Sequence, residues 1–312
     1  LLQTWPHPVK PKGWPMSKTK AVRLQSADTT ETKRIIQLDD NTSIELVRIP
    51  AGSFIMGDGN GTTDDKPNCV ATIDAPYWMM STEVTNALFN RYFPEHDSRF
   101  IDQQWKDHTT PGYPANKPGQ PVIRISWQQA MQFCQKLSEE TGMKFTLPTE
   151  AQWEWACRAG SDAPFWYGDE AEDFAPYANL ADESLRKFVV KGVNPQPVKH
   201  EEFQAFIPRA VGIDDGNMIA QEVGSYEANP WGLYDMHGSV AEWTRSDFKP
   251  YPYIDEDDRN ACDPTTMKTI RGGSWRDRPE FARSGYRHGY QPWQRVFNVG
   301  FRVICEDAPA AE

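Results

Sequence analysis

Four short strings in a fixed order constrain this chain more than any other feature: LPTEAQWEWA at 147–156, GLYDMHGSVAEW at 232–243, RGGSW at 271–275 and GFRV at 300–303. Strings of this specificity imply one fold unit spanning most of the chain. The second also places Asp235 and Glu242 at the ends of a glycine-containing turn, with backbone carbonyls exposed between them. Oxygen donors at that spacing suit a hard cation such as Ca²⁺. The alternative is a hydrogen-bonded turn without metal.

The chain ahead of these strings divides into a tail and a structured body. Residues 1–33 read as an extended tail or linker, punctuated by Pro6, Pro8, Pro11 and Pro15 and without apolar periodicity. Regular structure is expected from about Arg34, with strands at 35–38, 43–47 and 54–57. Ser126-x-x-Gln129 and Thr149-x-x-Gln152 are capping boxes that open two helices. The first carries Trp127, Ala130, Met131, Cys134 and Leu137 on one face, and a shorter helix is expected after Thr85. The 58–65 loop reads as a solvated turn. After Gly160 long stretches lack any regular period, and such loops in a compact domain are functional or ion-stabilised. The domain is placed at 34–306, with 307–312 as a C-terminal tail.

No apolar run approaches the ~20 residues of a membrane span, and a net charge of −11 argues against a general nucleic-acid binder. The charge is uneven. Between 271 and 302 seven Arg face only Asp277 and Glu280, a balance of +5 that leaves −16 on the rest. Such a segment could attract an anionic partner; the simpler reading pairs these arginines with acidic loops of the same molecule. Cys69, Cys134, Cys157, Cys262 and Cys305 are odd in number and show no CxxC spacing.

Taken together, the four strings resemble the formylglycine-generating enzyme, or sulfatase-modifying factor, family, over about 46–303. The resemblance implies a single irregular α+β domain of C-type-lectin-like fold with long loops. It implies calcium at two places: Asp235, Gly238, Val240 and Glu242 in one, and Asn179, Leu180, Asp215 and Asn217 in the other. It also implies a departure. The family's two copper-binding cysteines fall at Asp277 and Ala282, and a carboxylate and a methyl cannot replace the thiolates that cuprous copper needs. Cys134 and Cys157 match family disulfide cysteines whose partners fall at Val303 and Ser284. With Cys305 two residues past Val303, Cys134–Cys305 and Cys69–Cys262 are the expected bridges, against an alternative of five buried thiols. Related sulfoxide synthases use iron, for which His96, Asp97, Asp107 and His108 are the weaker candidate ligands here. Variable proteins of the same fold present their ligand surface between the third and fourth strings.

The expectation is therefore a non-catalytic, calcium-stabilised binding or scaffold protein, extracytoplasmic (periplasmic or secreted), alone or as a subunit of a larger assembly. A protein or anionic ligand would meet Trp275, Arg276, Arg278, Tyr290, Trp293 and Arg295, where aromatic and arginine side chains are dense. No nucleic-acid partner and no copper are expected. The alternative is an oxygen-dependent oxidoreductase, with a rearranged site or with iron.

Overall fold

Four α-helices among the described residues each begin at a hydroxyl side chain that accepts a backbone N–H of the first turn: α1 (Lys18–Gln25) at Ser17, α2 (Asn86–Asn90) at Thr85, α3 (Trp127–Thr141) at Ser126 and α4 (Glu150–Arg158) at Thr149. The two expected capping boxes are both closed, by Gln129 and Gln152. α3 stops at Gly142, whose φ of 70° is the left-handed cap that glycine tolerates best. The computed structural model describes residues 7–103, 111–188, 190–191, 196–197 and 209–307.

The main sheet has five antiparallel strands in the order β1 (Lys33–Asp39), β2 (Thr42–Ile49), β5 (Tyr77–Met80), β11 (Ile304–Asp307) and β6 (Lys144–Thr146). A hairpin of β3 (Gly52–Met56) and β4 (Cys69–Ile73) precedes β5. A second sheet orders β9 (Arg287–Tyr290), β8 (Lys268–Arg271), β7 (Ala241–Asp247) and β10 (Val299–Gly300), with β7 and β10 parallel. One core packs α3 residues Ala130, Phe133 and Leu137 against Leu46, Phe301 and Val303. A second gathers Trp153 and Trp155 of α4 with Phe54 and Trp231. The fold is α+β, long connections separate its elements, and no helix among the described residues is long and apolar enough to cross a membrane.

Two expectations need correction. Regular structure starts at α1 rather than near Arg34. Trp14 packs against Phe54 and Trp155 at 5.9 and 5.8 Å, and Ala21 is fully buried with its carbonyl accepting from Trp231 Nε1 at 3.0 Å. Gln25, also buried, donates to the carbonyls of Arg48 and Trp231, both at 2.8 Å. One apolar stripe of a short helix was too brief to register as periodicity. The second correction concerns the cysteines. Cys69, Cys134 and Cys262 are free thiols, so neither expected bridge is formed. Cys69 packs against the second core and receives Tyr253 N–H at 3.3 Å, whereas Cys262 packs against the first. Cys134 and Cys305 share one core, where burial pushes the Cys134 thiol far above its ordinary range.

Candidate functional site

The four strings meet in space, and charge explains why. Glu150 and Glu154 of α4 are fully buried, which no carboxylate tolerates without compensation. Arg271 supplies it, reaching Glu150 at 3.2 Å and Glu154 as well, while Arg287 grips Glu150 at 2.6 and 2.8 Å. Arg158 completes the set on Glu154 at 2.7 Å. Glu242 of β7 is met the same way, by Arg302 of GFRV at 2.7–2.9 Å and by Trp153 Nε1 of LPTEAQWEWA at 2.8 Å. These motif residues therefore neutralise one another inside the molecule.

That pairing reshapes the expected arginine face. Arg271, Arg283, Arg287 and Arg302 are buried; Arg283 meets Asp58 at 3.2 Å and Glu170 at 3.1 Å. Trp275, expected on the binding surface, is 1% exposed within a small core beside Phe188 and Phe297, because RGGSW turns inward at β8. Arg278 pairs with Glu280 at 2.6 Å and Arg276 lies over Phe188 and Phe297. Tyr290 is half-buried against Trp243 and His288. Trp293 remains 68% exposed, with exposed Arg295 two residues on. Their loop is pinned by Arg124 N–H to Val296 O and Trp127 N–H to Pro292 O, each 3.0 Å.

The two oxygen-rich places differ. In the first, Asp235 (φ 57°) and Gly238 (φ 78°) form the turn, and a Cβ at Gly238 would stand 2.0 Å from the Asn179 carbonyl. Only glycine lets these two segments approach so closely. Asp235 accepts from Gly224 N–H at 2.6 Å, but both Glu242 oxygens are taken by Arg302 and Trp153. Glu83, fully buried, has no donor among the described residues and reaches Arg302 only at 4.0 Å. Burial, then the charge of Asp235, push Glu83 well above the carboxylate range; burial also raises Asp235. Glu83 gave no signal in the sequence.

In the second place, oxygens of Asp182, Asp214 and Asp215 lie within 4.8 Å of one another. Asn179 Oδ1 is buried and has no donor. Asp215 receives Asn217 N–H at 2.8 Å and Tyr226 O–H at 2.7 Å, yet burial, with Asp182 nearby, raises it to about 7. An oxygen-only set of three converging carboxylates fits a hard divalent cation. Asp182 and Asp214, not assigned from the sequence, join Asp215 because the 182–184 turn and the 213–217 loop hydrogen-bond across the fold, as in Glu183 N–H to Ile213 O at 2.9 Å.

The positions implied for copper are closed. Asp277 accepts Ser274 O–H at 2.6 Å, and burial raises its carboxyl. Ala282 is fully buried with Phe165, Phe174 and Leu180. Cys157 lies 3.5 Å from His237 Nε2, but burial pushes the thiol up to about 12 and the imidazole down to about 4. Both are neutral at pH 7, so the pair lacks the thiolate that makes a nucleophile. Of the iron candidates, His96 sets Nε2 against the Ile123 carbonyl at 3.0 Å and Asp97 accepts from Arg99 N–H and Asn116; Asp107 and His108 lie outside the described residues.

An open groove of about 690 Å³ runs beside the Trp293 loop, lined by Tyr92, Phe93, Arg99, Arg124 and Arg295 among others. Arg124 and Arg295 also border a shallower hollow containing Trp293 and Phe297. Sequence reasoning found Trp293 and Arg295 but missed Arg99 and Arg124, which reach the groove from a different part of the chain.

The family model of the sulfatase-modifying factor enzyme 1-like domain matches residues 32–307. The chain is 25% identical over 326 residues to a formylglycine-generating enzyme of Mycobacterium tuberculosis (strain ATCC 25618 / H37Rv), covering 84% of this chain and 98% of that one. It is 24% identical over 313 residues to inactive C-alpha-formylglycine-generating enzyme 2 of Bos taurus, covering 86% and 90%. Among solved structures, PvdO from Pseudomonas aeruginosa superposes with a TM-score of 0.61 at 25% identity, covering 88% of this chain and 98% of that one. Treponema denticola variable protein 1 shares the fold at a TM-score of 0.66 and 20% identity, covering 89% and 100%.

Proposed function

Since the chain belongs to the sulfatase-modifying factor enzyme 1-like family, we propose that it is a binding member without cysteine-oxidising chemistry. The observation that carries this reading is the pair Asp277 and Ala282 at the positions the family resemblance gives to copper thiolates. One is hydrogen-bonded to Ser274 and the other lies inside an apolar cluster. Neither offers a soft donor, and no cysteine stands between Cys262 and Cys305.

In this reading calcium stabilises the loops. Asp182, Asp214 and Asp215 would hold it with Asn179 Oδ1 and the carbonyls of Leu180 and Asn217; at the first turn Asp235 and the carbonyls of Gly238 and Val240 remain as donors. The working surface is the exposed remainder of the C-terminal segment, Trp293 and Arg295 with Arg276 beside them, meeting a protein or an anionic ligand in an extracytoplasmic compartment.

Incubation with a sulfatase-type cysteine peptide and cuprous copper, read by mass spectrometry, tests it. The peptide should keep its thiol mass to within a no-enzyme control. Turnover above that control, abolished by Asp277→Ala, would establish an oxygen-dependent oxidoreductase instead.

A further inference from the structure

Seven arginines lie between 271 and 302, and the four buried ones are all paired with carboxylates. The groove beside the Trp293 loop has the opposite character. Among the described residues, Arg99, Arg124 and Arg295 line it and none makes a salt bridge. Two acids share the groove. Asp97 accepts from Arg99 N–H at 2.7 Å and Asn116 Nδ2 at 2.9 Å, neutral donors that leave its charge in place, so with Glu95 it balances two of the three guanidinium charges and one remains in excess. His96, half-buried and turned onto the Ile123 carbonyl, is lowered by burial and adds no charge at pH 7.

The cations are also held in place. Arg124 donates through Nε to Ser98 O at 3.1 Å and through Nη2 to Phe100 O at 3.0 Å. Its backbone N–H fixes Val296 and thereby the loop carrying Arg295. Arg99 stands at φ 61°, a left-handed conformation uncommon for a side-chain-bearing residue, stabilised by the Asp97 carboxylate on its N–H and by Ala115 N–H on its carbonyl. Burial, and then the charge of Arg99, lower the Arg124 guanidinium. Asp97 and Asp102 oppose that lowering without forming a salt bridge to Arg124 among the described residues, and a perturbed charged group in a cleft is a candidate for ligand contact.

We propose that this groove is a binding site for a small organic polyanion, carrying two or more carboxylate or phosphate groups, held by Arg99, Arg124 and Arg295. Its volume falls within the ~300–1,000 Å³ of small-ligand pockets, and guanidinium groups take carboxylate and phosphate oxygens in paired hydrogen bonds. Tyr92 and Phe93 supply an apolar wall for the carbon skeleton. The inference rests on the binding-protein reading and names its ligand class.

Isothermal titration of the full chain with citrate and with pyrophosphate, at low and at physiological salt, tests it and separates carboxylate from phosphate sources. At least one should bind saturably, more weakly as salt rises. Arg295→Ala and Arg99→Asn should each reduce affinity about tenfold or more, the asparagine keeping the left-handed backbone. Arg295→Lys should recover part of the loss, and all three variants should keep the wild-type melting temperature. No binding by either anion, or binding unchanged in Arg295→Ala, overturns the proposal. Binding of a hexaglutamate peptide without either small anion overturns it in favour of an acidic polypeptide. A silent titration leaves the binding-protein reading standing, because peptide oxidation is measured separately.

Discussion

Burial holds the Asp215 carboxyl above the ordinary aspartate range, and the direction is informative. Burial raises its carboxyl from 3.8 to about 7 in the folded chain. Between those values the folded state keeps a proton that the unfolded state has released, so stability falls as pH rises through this window and levels off above it. A cation held at this cluster, as proposed, would replace that proton. With chelator present, the melting temperature should therefore decline between pH 4 and pH 7, and added Ca²⁺ should restore it most near pH 7. Asp215→Asn should flatten the decline and remove most of the calcium response; an unaltered response in that variant would place the cation elsewhere. Glu242→Ala is a poor calcium probe. It leaves Arg302 buried without its partner, a loss of about 3–5 kcal/mol by itself. Trp293→Ala with Arg295→Ala should change stability by no more than ~0.5 kcal/mol, as surface changes do, while weakening capture of a partner from native extract. A large fall in melting temperature would assign Trp293 to the core.

At the scale of elements, α1 and the segment before it belong to the second core. Trp14 fills a three-ring cluster with Phe54 and Trp155, and Trp14→Ala should cost about 3–5 kcal/mol, as large-to-small core changes do. Gln25→Ala leaves the carbonyls of Arg48 and Trp231 short of a donor and should cost about 1–3 kcal/mol. Urea denaturation of each variant measures both. A truncation starting at Ser26 that melts with the full chain would return 1–33 to the status of a tail. The 58–65 loop behaves similarly: read as solvated, it contains fully buried Asp65, which accepts from Thr62 N–H and from Arg287 N–H at β9.

Over the whole molecule the charges divide into two populations. Inside, Glu150, Glu154 and Glu242 are matched by Arg158, Arg271, Arg287 and Arg302; outside, Arg99, Arg124 and Arg295 stand together without a salt bridge among the described residues. The acidic remainder includes Asp182, Asp214 and Asp215, whose oxygens lie within 4.8 Å of one another, and the buried pair Glu83 and Asp235, both raised by burial. Since a ligand that binds only the native state stabilises by mass action, excess chelator should lower the melting temperature of the intact chain, and calcium should raise it above the chelated value. Coincident curves would reject calcium as a structural component.

Sequence alone determined what is local or verbatim. The capping boxes at Ser126 and Thr149, the β1–β2 hairpin and the order of the four strings are contained in neighbouring residues, and so is the loss of thiols at Asp277 and Ala282. The tertiary structure decided what depends on partners far apart in the chain. Whether an arginine is a surface cation or an internal counter-ion depends on a carboxylate more than a hundred residues away, as with Arg271 and Glu150, and no spacing rule records that distance. The same holds for Asp182 beside Asp215, for Arg124 beside Arg295, and for Trp275, whose aromatic motif reads alike in a core or on a surface. Burial and long-range pairing set the charge, the exposure and the chemistry of each of these side chains.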